Sequence, residues 1–264
     1  MTLGEALRSS GLEPREARLL LARASGFSEA AVLAFPEREL PAEVEQGFAE
    51  FASRRKRGEP IAYIVGAKEF YGLELAVNPA VLIPRPETEI LVERALAHEF
   101  SSLLDLGTGS GAVALAIKKH RPHARVVAVE ASAAALVVAQ RNATRHSLEV
   151  EFRHGRWFEP LADERFELIV ANPPYVAEGD AHLAGLAFEP RSALVAGPDG
   201  LDAIREIASG AARHLAPQGW LYVEHGLGQA SAVHELFARA GLESVSTWPD
   251  LAGIPRVTGA RQVK

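Results

Sequence analysis

The sequence predicts an α/β protein in which a mostly parallel sheet carries helices on both faces, preceded by a small helical domain. From residue 87 onward, short apolar runs alternate with longer segments of helical period, and this alternation is typical of a covered parallel sheet. The first 57 residues carry helix signals instead. Between residues 60 and 86 the period changes and glycine and proline accumulate, so we place the domain junction there.

Residues 1–59 are predicted to form the helical domain. Thr2 and Glu5 have the spacing of a capping box, which predicts a helix start. Pro14 can begin a second helix, because the first helical position needs no backbone N–H. Two further helices are predicted over residues 28–33 and 41–57. The last of these ends in four consecutive basic residues, which we interpret as a solvated helix end, since cations suit the negative end of the helix dipole.

A β-hairpin is predicted to join the two domains within residues 60–85. The runs 61–65 and 73–77 are short and apolar, and Gly66 and Gly72 lie beside them. The larger domain is predicted over residues 86–264 and starts with a helix at 87–99. Its strands are predicted at 103–106, 126–129, 150–153, 166–170, 220–224 and 243–248. A further helix is predicted from the glycine-rich turn after the first strand to residue 118. The remaining helices are predicted at 133–142, 201–214 and 229–240, and the chain is predicted to end in an irregular tail.

Composition excludes several classes of site. The chain of 264 residues contains no cysteine, so disulfides, thiolate metal sites and thiol nucleophiles are excluded. The nine histidines show no ligand cluster, and we expect no metal. A net charge of −6 argues against binding that depends on covering phosphates. The chain has no run resembling a signal peptide or a membrane span, so we expect a cytoplasmic protein that binds no membrane.

A glycine-rich turn, residues 105–112, joins a predicted strand to a predicted helix. Gly107, Gly109 and Gly111 let backbone N–H groups approach a ligand closely. Glu130 ends the next predicted strand, where its carboxylate can accept hydrogen bonds from two ribose hydroxyls. The pattern also satisfies the dinucleotide fingerprint, because Ala112 can replace the third glycine. The turn therefore predicts an adenosine-containing cofactor without deciding which one.

Asp105 favours a cofactor that carries an amino acid. Its carboxylate stands immediately before the turn, where it would repel a pyrophosphate and attract an ammonium group. Gly111 adds a glycine in the register that is typical of S-adenosylmethionine sites. The alternative is a tight turn that binds nothing. That alternative would not explain why three glycines cluster here between two acids, Asp105 before the turn and Glu130 at the end of the next strand.

The loop Asn172-Pro173-Pro174-Tyr175 follows a predicted strand and should lie at the same sheet edge as the glycine turn. Its prolines fix the backbone and remove two N–H donors. The Asn172 side-chain oxygen and the Pro173 carbonyl can then accept the two hydrogens of an amide or exocyclic amine, whose lone pair is otherwise delocalised. Tyr175 offers a flat face to that planar group. We therefore predict chemistry on a planar nitrogen.

These motifs resemble class I S-adenosylmethionine-dependent methyltransferases that act on planar nitrogen. More specifically, the chain resembles the protein glutamine methyltransferases that modify peptide chain release factors, over most of its length to about residue 258. Five further motifs carry this resemblance. They are Gly-Glu-Pro-Ile-Ala-Tyr-Ile at 58–64, Phe-Tyr-Gly at 70–72, Ile-Pro-Arg-Pro-Glu-Thr-Glu at 83–89, Phe-Glu-Pro-Arg at 188–191 and Glu-His-Gly at 224–226.

The resemblance implies a Rossmann-like class I methyltransferase sheet. It implies S-adenosyl-L-methionine as donor, S-adenosyl-L-homocysteine as product, and the glutamine amide in a Gly-Gly-Gln loop of class 1 release factors as acceptor. It implies catalysis by Asn172 and Pro173. The implied substrate contacts are Asn172, Pro173, Pro174 and Tyr175. The implied cofactor contacts are Gly107, Thr108, Gly109, Ser110, Gly111, Glu130, Trp157 and Asn172. The helical domain would help to dock the release factor, and we expect a monomer that needs no direct nucleic-acid contact.

One departure from the family pattern concerns the adenine pocket. An acid commonly precedes the aromatic pair that matches Trp157 and Phe158, whereas Arg156 stands there in this chain. A contact from that acid to the adenine amino group would then be missing, although Trp157 should still cover the ring. The alternatives are an adenine amino-group DNA or RNA methyltransferase, a dinucleotide-dependent oxidoreductase, and a non-catalytic module with a vestigial pocket.

Overall fold

The computed structural model describes residues 1–263. The chain divides into two compact units, of which the first spans Met1–Ala67 and the second begins at Lys68. Neither unit has, within those described residues, a helix long and apolar enough to cross a bilayer.

The first unit is a group of helices around its own apolar core. Thr2 caps α1 through a reciprocal capping box, in which its hydroxyl accepts from the Glu5 N–H at 3.2 Å and the Glu5 carboxylate accepts from the Thr2 N–H at 2.8 Å. Pro14 occupies the first position of α2, as predicted. Leu3, Leu20 and Leu21 are fully buried in the core. The helices are α1 Leu3–Ser9, α2 Pro14–Ser25, α3 Glu29–Ala34, α4 Ala42–Lys56 and α5 Ile61–Val65.

Two of the four basic residues at the end of α4 are paired with carboxylates. Arg54 forms a two-pronged ion pair with Glu59, and Arg55 forms one with Glu16 at 2.8–2.9 Å. Partly exposed pairs of this kind stabilise the fold by at most about 1 kcal/mol each. Their main effect here is to neutralise part of the basic run, which agrees with its interpretation as a helix end.

The prediction of a strand over residues 61–65 was wrong. This segment is the short helix α5, which starts after Pro60 and ends at Gly66 in the left-handed conformation. Proline before a helix and glycine after it are both favourable signals. A short apolar run cannot by its period be distinguished from a buried piece of helix, and here the flanking residues decided the outcome.

The second unit opens with a small hairpin. Its strands are β1 Ala67–Phe70 and β2 Leu73–Ala76. The second strand lies where the sequence predicted it, whereas the first is formed by residues 67–70 instead of 61–65. Tyr71 and Gly72 form the two-residue turn, and both have positive φ angles, 48° and 71°. This conformation matches the twist of the flanking strands.

A seven-stranded sheet dominates the second unit, in the order β5-β4-β3-β6-β7-β9-β8. The first five strands in this order pair in parallel. The strands are β3 Ser102–Leu106, β4 Arg125–Glu130, β5 Glu151–His154, β6 Phe166–Ala171, β7 Leu215–Glu224, β8 Glu243–Pro249 and β9 Pro255–Arg261. The helices are α6 Glu89–Leu96, α7 Ala112–His120, α8 Ala133–His146, α9 Asp202–His214 and α10 Ala230–Arg239.

Two apolar clusters pack against opposite faces of the sheet, which confirms the predicted α/β architecture. Adjacent residues of β3 divide between them, because Leu103 packs with helices α6 and α7 while Leu104 packs with α9 and α10. Side chains alternate between the faces of a strand, so both sides of each central strand are apolar. The predicted strand and helix positions are confirmed to within a few residues.

The tail predicted to be irregular is a strand. β9 lies between β7 and β8 and pairs antiparallel with both. Gly259 allows this close approach, because a Cβ atom there would lie 2.3 Å from the ring of Tyr222. His225 donates to or accepts from the Thr258 hydroxyl at 2.9 Å, and burial lowers the pKa of this histidine. His225 is thus a buried structural residue.

Candidate active site

The parallel strands direct three loops to one edge of the sheet. The chain leaves β3 for β4 on one side and later returns to β6 on the other side. The carboxyl ends of strands at such a reversal form a natural crevice. The glycine turn follows β3, Glu130 ends β4, and Asn172 follows β6. The fold therefore brings together the motifs that the sequence predicted to meet.

The glycine turn depends on glycine at two positions in particular. Gly107 has φ +75°, and a Cβ atom there would lie 3.2 Å from Cζ3 of Trp157. Gly109 has φ +56°, and a Cβ atom there would meet no heavy atom within 4 Å. The first glycine is needed for packing, whereas the second leaves the backbone open to the crevice. The Gly109 N–H itself is bonded to Glu130, but the absence of a side chain lets a ligand approach this backbone closely.

Glu130 holds the turn in place. Its two carboxylate oxygens accept from the backbone N–H groups of Gly109 and Ser132, both at 2.8 Å. Each carboxylate oxygen has a second lone pair. Glu130 can therefore fix the turn and still accept hydrogen bonds from a bound diol.

Asp105 is a buried carboxyl group at the base of the turn. It is only 1% exposed, and it accepts a hydrogen bond of 2.7 Å from the Thr108 hydroxyl. Burial raises the pKa of Asp105 to about 7, and the nearby negative charge of Glu130 contributes to the rise. A cationic group that bound beside Asp105 would favour its charged form.

A cavity of about 380 Å³ opens beside these groups. This volume lies within the range of small-molecule sites, about 300–1,000 Å³. Of the predicted cofactor contacts, all except Gly111 line it. These lining residues are Gly107, Thr108, Gly109, Ser110, Glu130, Trp157 and Asn172.

Trp157 forms one wall of the cavity in an unusual backbone conformation. Its φ angle is 47°, which a bulky residue adopts only when its surroundings impose it. Arg156 lies over the indole, with the guanidinium carbon 5.3 Å from the ring centroid. Glu206 on α9 holds Arg156 through a hydrogen bond of 2.9 Å to Nε and an ion pair. The residue that departs from the family pattern thus contacts Trp157 and also lines the cavity.

Asn172 lines the cavity and has a fixed amide. Its Nδ2 donates to the Thr88 hydroxyl at 3.0 Å. Its Oδ1 is buried and has no hydrogen-bond partner within residues 1–263. A buried amide oxygen without a partner costs free energy, and such an atom at a cavity wall is available to a ligand that donates a hydrogen bond.

The other residues of the loop differ in position. Pro174 lines the cavity, whereas Pro173 and Tyr175 are not among its described lining residues. Pro173 is buried. The Tyr175 hydroxyl donates to Glu224 at 3.2 Å, and Gln229 donates to the Tyr175 carbonyl at 3.0 Å. Burial raises the pKa of Tyr175, so this hydroxyl stays protonated.

Thr88 and Glu224 belong to the site although no role was predicted for either residue. Both lie in motifs of the resemblance, and both are buried polar residues. Their chain positions are 84 and 49 residues from the loop residues that they contact. A polar residue inside an otherwise apolar strand end, as in Val223-Glu224, is the one signal that could have indicated Glu224.

Two family models match the chain. The Methyltransferase small domain matches residues 86–188, and the PrmC N-terminal domain matches residues 3–66. A solved methyltransferase from Pyrococcus furiosus has the same fold, with a TM-score of 0.60 at 18% identity. That alignment covers 82% of this chain and all of the other. The chain therefore has the fold of class I methyltransferases.

Curated relatives narrow this class further. A release factor glutamine methyltransferase of Xylella fastidiosa strain Temecula1 is 48% identical over 257 residues, which cover 95% of this chain and 94% of that protein. One of Neisseria gonorrhoeae strain FA 1090 is 46% identical over 270 residues, which cover 100% and 99%. This chain belongs to the release factor glutamine methyltransferase family.

Proposed function

We propose that this protein methylates the side-chain amide nitrogen of the glutamine in the Gly-Gly-Gln loop of class 1 peptide chain release factors, with S-adenosylmethionine as donor. The observation that carries the proposal is the Oδ1 atom of Asn172, a buried acceptor without a partner among residues 1–263, on a residue that lines the cavity. A glutamine amide offers two N–H donors. The family's curated names support release factors as the source of that glutamine.

The residues of the cavity fit an adenosyl amino-acid cofactor. The open backbone at Gly109 suits a close ligand approach. Glu130 retains acceptor capacity for ribose hydroxyls, and Asp105 is placed to meet an ammonium group. Trp157 offers its indole face to a base. When bound, S-adenosylmethionine would supply an electrophilic methyl group on a sulfonium sulfur.

The role of the chain itself is mainly to orient the acceptor. We assign to Asn172 Oδ1 and the Pro173 carbonyl the two N–H groups of the substrate amide, so that its lone pair points into the cavity. Pro173 and Pro174 keep this loop rigid, because their φ angles are fixed. Good alignment of reacting groups is worth about 7–11 kcal/mol of a barrier. Tyr175 would limit the remaining freedom of the planar amide.

Mapping the modified residue tests the proposal. The protein, S-adenosylmethionine and a release factor are incubated, and the product is digested and analysed by mass spectrometry. We expect one added methyl group on the Gly-Gly-Gln glutamine and none on a release factor with asparagine at that position. Methyl transfer to adenine in DNA or RNA, with none to the release factor, would contradict the proposal.

An Asn172→Ala variant tests the proposed acceptor. It should lower kcat by about a hundredfold or more while the affinity for S-adenosylhomocysteine changes little. Thr144→Ala is a control variant, because Thr144 lies on α8 and its hydroxyl bonds the Gln140 carbonyl of its own helix. Equal losses of catalysis and of cofactor affinity in Asn172→Ala would show that Asn172 mainly builds the cavity.

A further inference from the structure

Glu224 is a buried carboxyl group that the proposed chemistry does not use. It is the last residue of β7, is 1% exposed, and is not among the described residues that line the cavity. Its Oε1 accepts from the Tyr175 hydroxyl. The Thr88 hydroxyl faces the same carboxyl group and favours its charged form. Its Oε2 is buried and has no hydrogen-bond partner in the part of the chain that the structure describes.

Thr88 is bonded to Asn172 and also faces this carboxyl group. The Thr88 oxygen accepts from Asn172 Nδ2, and a hydroxyl carries a single proton. That proton is therefore available to Glu224. If the Thr88 hydroxyl turns its proton to the unpartnered Oε2, it completes a directional chain, in which the amide donates to the hydroxyl and the hydroxyl donates to the carboxylate.

The direction of this chain determines which end of the Asn172 amide faces the cavity. With Nδ2 engaged by Thr88, Oδ1 remains as the free atom. If Glu224 became a donor, Thr88 could accept from it and turn its own proton toward Asn172. The amide would then present Nδ2 in place of Oδ1, and a donor at that position would oppose the N–H groups of a substrate amide.

We infer that Glu224 is a positioning residue whose carboxylate, acting through Thr88, keeps the Asn172 oxygen directed to the substrate, while its bond to Tyr175 holds the other end of the loop. This inference rests on the proposed function for the identity of the substrate. Arg256 and Glu87 are the other charged groups that act on Glu224. Burial raises the pKa of Glu224 to about 7, with Thr88, Tyr175 and Arg256 opposing that rise.

Three variants test this role through kinetics. Glu224→Gln keeps the shape of the side chain but replaces a carboxylate oxygen with an N–H donor. Thr88→Val removes the hydroxyl group that faces Glu224, whereas Thr88→Ser keeps a hydroxyl group at that position. We expect the first two to lower kcat about tenfold to a hundredfold, with the KM for S-adenosylmethionine little changed. Thr88→Ser should recover most of that loss. The wild-type kcat should fall as pH decreases below about 7, and this fall should be absent in Glu224→Gln.

A measurement without substrate separates the inference from the proposed function. The side-chain amide signals of Asn172, assigned in ¹⁵N-labelled protein with Asn172→Ala, should shift with pH around the midpoint of Glu224. In Thr88→Val the Asn172 amide signals should not shift with pH around the midpoint of Glu224. If no release factor is methylated, the proposed function fails while this titration still decides the inference. Should Glu224→Gln not fold, the two Thr88 variants carry the test.

Three results would overturn the inference. One is an Asn172 amide signal that does not respond to the ionisation of Glu224. The second is a Thr88→Val variant with wild-type kcat, since a hydroxyl that only fills space would be replaced by valine without loss. The third is a Thr88→Ser variant impaired as strongly as Thr88→Val.

Discussion

The buried carboxyl of Asp105 predicts that cofactor binding depends on pH. Only the ionised form attracts an ammonium group, and burial raises its pKa to about 7. Half of the carboxyl groups are then ionised at pH 7, but only about 3% at pH 5.5. An α-amino group titrates near pH 8 and stays charged over this range. The affinity for S-adenosylhomocysteine should therefore fall about fifteenfold between pH 7 and pH 5.5.

Isothermal titration calorimetry over this range tests the reasoning. Asp105→Asn should bind S-adenosylhomocysteine more weakly at pH 7 and should lack the fifteenfold dependence. 5′-Methylthioadenosine is the matched ligand, because it has the adenosine and the sulfur but no amino acid. If the wild-type affinity for S-adenosylhomocysteine stays constant between pH 7 and pH 5.5, the contact assigned between Asp105 and the ammonium group is refuted. An equal pH effect on both ligands would place the titrating group at the adenosine end instead.

Three further predictions concern packing around the site and in the sheet. Gly107→Ala adds a Cβ atom 3.2 Å from Trp157 at a residue with a positive φ angle. In denaturation experiments it should lower the free energy of unfolding by about 1 kcal/mol or more, and in calorimetry it should weaken S-adenosylhomocysteine binding. Arg156→Ala and Glu206→Ala should quench or shift the indole fluorescence alike and lower cofactor affinity by similar factors, whereas an effect of only one of them would contradict their joint support of the ring. Gly259→Ala should destabilise the protein by about 1–3 kcal/mol in urea unfolding, and an unchanged midpoint would argue against the buried position of β9.

Most of the fold follows from local patterns in the sequence. The central strands are apolar on both faces because helices cover both sides of the sheet, and the alternation with helices predicts their parallel pairing. The two errors have a common physical origin. Residues 61–65 and β9 are short segments whose conformation is set by their surroundings, by Pro60 and Gly66 in one case and by two neighbouring strands in the other.

The site could be predicted in part for a similar reason. Loops after parallel strands meet at one edge, so the glycine turn, Glu130 and Asn172 could be brought together from chain order alone. The contacts of Thr88 and Glu224 could not, because they join residues far apart in the chain and involve the detailed direction of side chains. The pairing of Arg156 with Glu206 depends in the same way on how α9 packs.

Asp105 and Glu224 together predict how stability depends on pH. Burial raises both pKa values to about 7 from ordinary values of 3.8 and 4.5. Between about pH 5 and 7 the folded protein keeps protons that the unfolded chain has released. Stability must therefore fall as pH rises through this window, by up to about 1.4 kcal/mol per pH unit for each group.

His98 and His225 act in the opposite direction, because burial lowers both pKa values and the unfolded chain binds their protons more readily. The measurement is therefore a difference between variants. Urea unfolding at pH 5, 6 and 7 should show that Asp105→Asn and Glu224→Gln each gain stability relative to wild type as pH rises. A constant difference across this range would mean that these carboxyl groups titrate near their ordinary values, and the pH dependence proposed for the site would then lose its physical basis.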